Sequence, residues 1–350
     1  MPSPINSSNP PRHTVDLDVR GAIPPGLSGR MMGIDRDGTV FSVHVHGERL
    51  SYRVRRFRTD AVIHSLFTFG TSMLAFGEDA SVYELDTDND TLRRVDLAGH
   101  GLRLAAYPKQ DLVTGELHLV ADDTAGGQAH VVVSAGAMTR RSRPVRGASS
   151  RIKDVALSRD HAVFVADGFI GIAPRDGGES RTTWIATGAA APRPLHAHDS
   201  GNAVALLVLT PSVETWTLHP VTGTIERAVL DDAPRRFAHL RTDAAEGAPN
   251  LLWTTGEQTI ARHDLVNSHH THHSLQPHLP GDFVIVPDAT RSGDANGGWL
   301  VGLVRNSPNT TTDLLVSDAT DIAAPAVATA RIPTPIPLGR LCTWIPSTHH

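Results

Sequence analysis

Residues 216–230 read WTLHPVTGTIERAVL, residues 260–275 read IARHDLVNSHHTHHSL, and residues 314–332 read LLVSDATDIAAPAVATARI. Each is a short apolar run, then His219, Asp264 or Asp318, then a polar turn, then a second run. Asp and Asn side chains bond their own backbone in turns, and Gly supplies the left-handed conformation. Such segments are therefore hairpins between strands. The same pattern occurs in VYELDTDNDTLRRVDL (82–97) around Asp86 and PKQDLVTGELHLV (108–120) around Asp111. His219 and Asp264 lie about 45 residues apart and Asp264 and Asp318 a little over 50, the period of a propeller blade. At that spacing the chain holds about seven blades. A pair of β-sandwiches is the architectural alternative.

The rest of the composition agrees with an all-β chain. Apolar stretches are short and rich in Val and Leu, and long runs of i, i+3, i+4 spacing are absent. The chain has 350 residues, 40% of them hydrophobic and 20% charged, with no apolar run long enough to span a bilayer. The polar, proline-rich start, MPSPINSSNPPRHTVD, does not read as a secretory signal. Residues 1–20 are expected to form a disordered or loosely attached leader, residues 21–350 a single domain, and the protein a cytoplasmic one. One cysteine, Cys342, excludes an intramolecular disulfide framework. A net charge of −5 excludes a broad electrostatic footprint for nucleic acid. Arg53, Arg55, Arg56 and Arg58 read as one solvated strand face. SHHTHH (268–273) looks metal-seeking but falls in an expected inter-strand turn and reads as surface loop. His44 and His46 share a strand face, but nothing in the sequence supplies further ligands.

Several segments, in order over most of the chain, resemble the carotenoid cleavage oxygenases, a family that includes the retinal pigment epithelium isomerase. GAIPPGLSG (21–29) is similar to the family's G-x-I-P-x-x-L-x-G, LAFGEDASVYELD (74–86) to L-A-L-W-E-G-G-x-P-Y-E-L-D, and AAYPKQDLVTGEL (105–117) to A-H-P-K-x-D-P-x-T-G-E-L. IDRDGTVFSVHVHGERLSYRVRRFRTD (34–60), RIKDVALSRDHAVFV (151–165), DDAPRRF (231–237) and GDFVIVPDATRSGDANGGWLVGLV (281–304) resemble further family segments. ARIPTPIPLGRLCTWIP (330–346) is similar to the family's terminal L-P-x-R-V-P-x-G-F-H-G-T-W-V-P. The resemblance implies a seven-bladed β-propeller, with a reduced cap because the chain is shorter than usual for the family.

It also implies a ferrous ion on four neutral imidazoles, a ligand type suited to iron. At the positions it assigns to those imidazoles stand Tyr107, Lys153 and Leu341, and a third position that is His196, His198 or Asp199 according to the placement of a gap in PLHAHDSGNA. Of the carboxylates that orient the ligands, Glu78 remains, while Ala205 and Ala295 replace two others. The family scaffold without its metal site is the expectation, with no cofactor and iron(II) as the alternative.

Tyr107, Lys153, Asp199 and Glu78, gathered in a desolvated lumen, would form an acid–base set and are the candidate catalytic residues. His196, His198, Leu341 and Trp344 are the candidate substrate-binding residues. The structural reading of the same groups is a satisfied polar network that fills the space a metal left. Cys342, one residue past Leu341, points the other way by alternation and reads as buried and structural. The function implied is a metal-independent cyclisation, isomerisation or pericyclic step on an apolar unsaturated small molecule. Its alternatives are a binding propeller without chemistry and a degenerate dioxygenase that cleaves a carbon–carbon double bond.

Overall fold

In a computed structural model, the described residues are 13–34, 39–56, 62–69, 72–77, 81–85, 92–97, 102–104, 108–122, 126–134, 139–175, 181–188, 190–241, 247–288, 290, 297–306, 311–334, 336, 338 and 342–347. They form 31 strands in seven antiparallel sheets of four or five strands each, and no α-helix. This is the seven-bladed β-propeller that the hairpin spacing and the family resemblance implied. No helical cap is present among the described residues, and none of them forms a helix long and apolar enough to cross a membrane.

Blades 2 to 6 take consecutive strands: 63–95, 103–145, 152–186, 193–231 and 237–274. Blade 1 pairs strand Cys342–Pro346 with Gly29–Ile34, then adds Thr39–His46, Arg49–Arg56 and His13–Leu17. Blade 7 runs from His278–Pro287 through Gly298–Asn306 and Thr311–Asp318 to Ala328–Ile332, and Val19–Gly21 completes its edge. The leader expected over residues 1–20 is thus strand from His13 onward, because Val15 and Leu17 continue the alternation that pairs with Arg49–Arg56.

The repeat has a clear physical basis. His219, Asp264 and Asp318 each end the third strand of a blade, so they recur at the blade period. Asp86 lies outside the described residues. Asp264 Oδ1 accepts from the backbone N–H groups of Val266 and Asn267, and Asp318 Oδ1 from that of Thr320. Asp111 does the same for Val113 and Thr114, but it stands between the first and second strands of blade 3 and is out of phase with the others. Within the run SHHTHH only Ser268 is in a turn, and the rest is strand rather than the expected surface loop: His269–Ser274 pairs with Thr259–Asp264 as the outer edge of blade 6. Alternating exposure along an edge strand accommodates the imidazoles, which a turn did not require.

Two compact units are distinguishable within the chain. Unit 1 is residues 1–94, 236–241 and 251–350, with blades 1, 2, 6 and 7; unit 2 is residues 95–235 and 242–250, with blades 3, 4 and 5. The divisions near 95 and 235 fall close to blade boundaries because a blade's ladder bonds are internal to it, while residues 242–250, between the first two strands of blade 6, group with unit 2. In unit 1, Leu27, Met31, Val43, Leu50, Val301, Leu314 and Val316 bury together between blades 1 and 7. Gly29, at φ +151°, lets the Trp344 indole lie against the strand; a Cβ there would stand 2.7 Å from the ring and 2.5 Å from Ile345 O. In unit 2, Val163, Ile170, Val204, Leu206 and Trp216 form the equivalent core between blades 4 and 5.

Candidate functional site

The first strands of the three blades of unit 2 carry four of the eight residues singled out from the sequence, Lys153, His196, His198 and Asp199. These strands are Lys109–Gln110, Ile152–Leu157 and Arg193–Ser200. The last two are neighbours in space, and two contacts give their direction. Asp154 feels the charge of Arg193 at one end, and Ser158 Oγ bonds Asp199 Oδ1 at 2.9 Å just beyond the other, so they run parallel.

Strand alternation divides the three candidates at 196–199 between two faces. His196 and His198 share one face of their strand, with ring centroids 5.9 Å apart and stacked. Asp199 faces the other way. Its carboxylate accepts from Ser158 Oγ at 2.9 Å, from the backbone N–H of Asp160 at 2.9 Å and from His161 Nδ1 at 2.7 Å. Burial pushes Asp199 upward, but these donors outweigh it and hold the group below the usual carboxylate range. Asp199 is therefore the anchor of the 158–161 turn rather than the lumen acid expected. His196 Nε2 donates to Gly247 O at 2.9 Å. His198 Nδ1 is buried with no hydrogen-bond partner among the described residues. Burial lowers the pKa of both imidazoles and keeps them neutral at pH 7; the Gly247 bond and Asp199, respectively, oppose that shift.

Lys153 departs from expectation for a local reason. The pairing of Ile152–Leu157 with His161–Ala166 slips by one residue between Ile152 and Asp154, which makes Lys153 the extra residue of a bulge. Its side chain is 55% exposed and its ammonium lies 2.5 Å from Asp167 Oδ2, itself 53% exposed. This is a solvated ion pair and not the desolvated ammonium that the proton-donor role required. The bulge turns Asp154 inward instead. Asp154 is buried, its Oδ1 accepts from Val155 N–H at 2.8 Å, and Lys109 Nζ stands 3.8 Å away. Lys109 also reaches Pro194 O at 3.5 Å, so one ammonium ties together the first strands of all three blades. Burial raises the Asp154 pKa against the opposing charges of Lys109 and Arg193.

Tyr107, Glu78 and Leu341 lie outside the described residues. Trp344, expected to bind substrate, is packed in unit 1 against the core shared by blades 1 and 7, its indole N–H without a partner among the described residues. Sequence reasoning passed over Lys109 and Asp154, although both stand in quoted motifs, AYPK and IKDVAL. The only signal lay one or two residues from the positions chosen, and a bulge is invisible to alternation.

Seven antiparallel sheets in this order describe a β-propeller of the kind that the resemblance to the carotenoid oxygenases implies. Comparison with known proteins bears this out. The sequence model of the family described as retinal pigment epithelial membrane protein matches residues 197–346. A carotenoid cleavage oxygenase of Mycobacterium tuberculosis is 24% identical over 215 residues, a match that covers 51% of this chain and spans 42% of that relative's length. Cobalt-substituted apocarotenoid oxygenase of Synechocystis shares the fold at a TM-score of 0.81 and 18% identity, over 97% of both chains. Lignostilbene dioxygenase of Pseudomonas brassicacearum does so at 0.83 and 16%, over 96% of both.

The iron centre that the resemblance implies does not fit the side chains present. Leu341 has no donor atom, Lys153 is a cation already paired with Asp167, and Asp199 is saturated by its turn. His196 and His198 share one strand, and among the described residues no group of three or more His, Cys, Asp or Glu side chains is placed to hold a metal ion.

Proposed function

We propose that this propeller works without the four-histidine iron centre and catalyses a non-oxidative cyclisation, isomerisation or pericyclic step on an apolar unsaturated small molecule, in the cytoplasm. The observation that carries the reading is the donor set: where the resemblance calls for four imidazoles, the chain supplies Tyr107, Lys153, one of His196, His198 and Asp199, and Leu341. What supports chemistry over packing is the remaining polarity of unit 2. Lys109 and the buried Asp154 present a cation beside a carboxyl whose neutral form burial favours, and His196 and His198 present neutral imidazoles. Such groups hold a carbonyl or hydroxyl of a bound molecule by hydrogen bonds and orient a reactive conformer, and neither task needs an electron carrier. The apolar substrate class is taken from the names of the relatives, whose substrates are carotenoids, apocarotenoids and lignostilbene.

Elemental analysis of tag-free protein, purified without added metal, tests the reading. Transition metal far below one equivalent per chain, in protein with an intact thermal transition, is the expected result. Stoichiometric iron that leaves with chelator, and takes activity with it, overturns the proposal and returns the chain to the dioxygenases.

A further inference from the structure

Unit 1 holds a polar constellation that the site above does not include, although Asp282 and Cys342 stand in segments that resemble the family's. It lies on three first strands: Phe237–Arg241 of blade 6, His278–Pro287 of blade 7 and Cys342–Pro346 of blade 1. The first two are neighbours in space, and so are the last two. His239 Nε2 stands 2.5 Å from Asp282 Oδ1, and the backbone N–H of Cys342 donates to Asp282 Oδ2 at 2.7 Å. The Asp282 side chain is wholly inaccessible, while 26% of the His239 side chain is exposed. A bulge in the pairing of His278–Pro287 with Gly298–Asn306 falls at Gly281 and Asp282, and this turns the carboxylate in towards both partners.

We propose that His239 and Asp282 form a proton-transfer dyad, with His239 the catalytic base and Asp282 its positioning residue, acting on an unsaturated molecule that presents an acidic C–H or O–H. The geometry assigns the roles. An ionised carboxylate only accepts, so Nε2 of His239 carries the hydrogen and Nδ1 carries the lone pair. Nδ1 has no partner among the described residues. Both oxygens of Asp282 are engaged, so the carboxylate cannot turn away from the ring. When Nδ1 takes a proton from the substrate, the imidazolium forms against a fixed, buried negative charge, and the proton returns to the substrate at another atom or passes to water. The inference rests on the reading of this chain as an enzyme that needs no iron centre, and it adds the group that moves the proton.

The test uses full-length, tag-free protein whose metal content has been measured, so that failure of the metal-free reading is seen separately. Two readouts are needed. The first is the tautomer of His239 by nitrogen-15 NMR: the wild type should show the Nε2–H form, and D282N should lose that preference. The second is elimination of 5-nitrobenzisoxazole, in which a base removes the ring C–H proton as the N–O bond breaks to give a cyanophenolate. H239Q keeps an amide N–H for Asp282 but has no base, so it should fold and lose about a hundredfold in rate. D282N should lose at least about tenfold through the wrong tautomer. An Nδ1–H tautomer in the wild type, no acceleration by the wild type, or an unchanged rate in H239Q overturns the proposal.

Discussion

Asp154 and Lys109 carry opposite obligations at one contact. The carboxyl is buried and favours its proton, while the ammonium beside it favours the ionised form. A folded-state pKa raised above the unfolded value contributes stability that is full below the unfolded pKa and is lost as pH rises through the folded one. D154N removes that titration and leaves an acceptor for Val155 N–H. Its stability relative to the wild type should therefore increase from pH 4 to pH 7 in urea denaturation, and a difference that is flat with pH contradicts the assignment. K109M removes the cation and should cost about 1–3 kcal/mol at pH 7, because it leaves a buried carboxyl without its charged partner. The sequence exposed these residues only in part. Lys109 and Asp154 were visible as letters in AYPK and IKDVAL, and the choice between Lys153 and Asp154 turned on a one-residue slip of register that no side-chain pattern records. Asp199 was legible as one of three candidates, and its partners, Ser158 and His161, come from a different blade, a relation set by tertiary packing alone.

Blade 3 contains the most pH-sensitive element of unit 2. His118 and His130 face each other across two paired strands, His118 Nδ1 3.0 Å from His130 Nε2, and Arg143 Nε donates to His130 Nδ1 at 3.2 Å. That donation leaves His130 with its hydrogen on Nε2, so His118 accepts at Nδ1 and carries its own hydrogen on Nε2. Both rings are buried. Burial, together with nearby arginines, lowers His118 to about 3 and drives His130 well below its ordinary value. A depressed imidazole means that the unfolded chain binds the proton first. Stability is thus full above about pH 6.5 and falls on acidification at about 1.4 kcal/mol per pH unit for each ring, down to the folded pKa. H118L/H130F should flatten this dependence between pH 6.5 and 4.5, read from urea midpoints; a double variant with the wild-type slope would show that other groups carry it. The quoted hairpins were the most legible elements of the chain, since an Asp or His followed by a polar turn marks each of them locally. The histidine-rich strand 269–274 was not, because its imidazoles gave no alternation of apolar and polar residues to read.

At the scale of the molecule, the number of blades followed from the period of the Asp-turn hairpins, and the family resemblance was carried by segments spread along the chain. The division into two units did not follow, since it depends on how tightly neighbouring blades pack and no composition shift marks it. Blade 1 was the least accessible to local reasoning, for its first strand comes from residues 342–346 and its second from 29–34. The seam rests on Gly29 beneath Trp344. G29A would place a Cβ within 2.7 Å of the indole at a backbone angle that L residues avoid, and should lower stability by at least about 2 kcal/mol by thermal or urea unfolding. That same seam sets the order in which the protein is completed during synthesis. Blades 2 to 6 can close their ladders as each leaves the ribosome, but Gly29–Ile34 must wait for a partner more than 300 residues downstream. At about 5–20 residues per second, the strand with Met31 and Met32 stands unpaired on its inner edge for roughly 15–60 s. For that interval the nascent chain, not the finished propeller, is the form most in need of a chaperone.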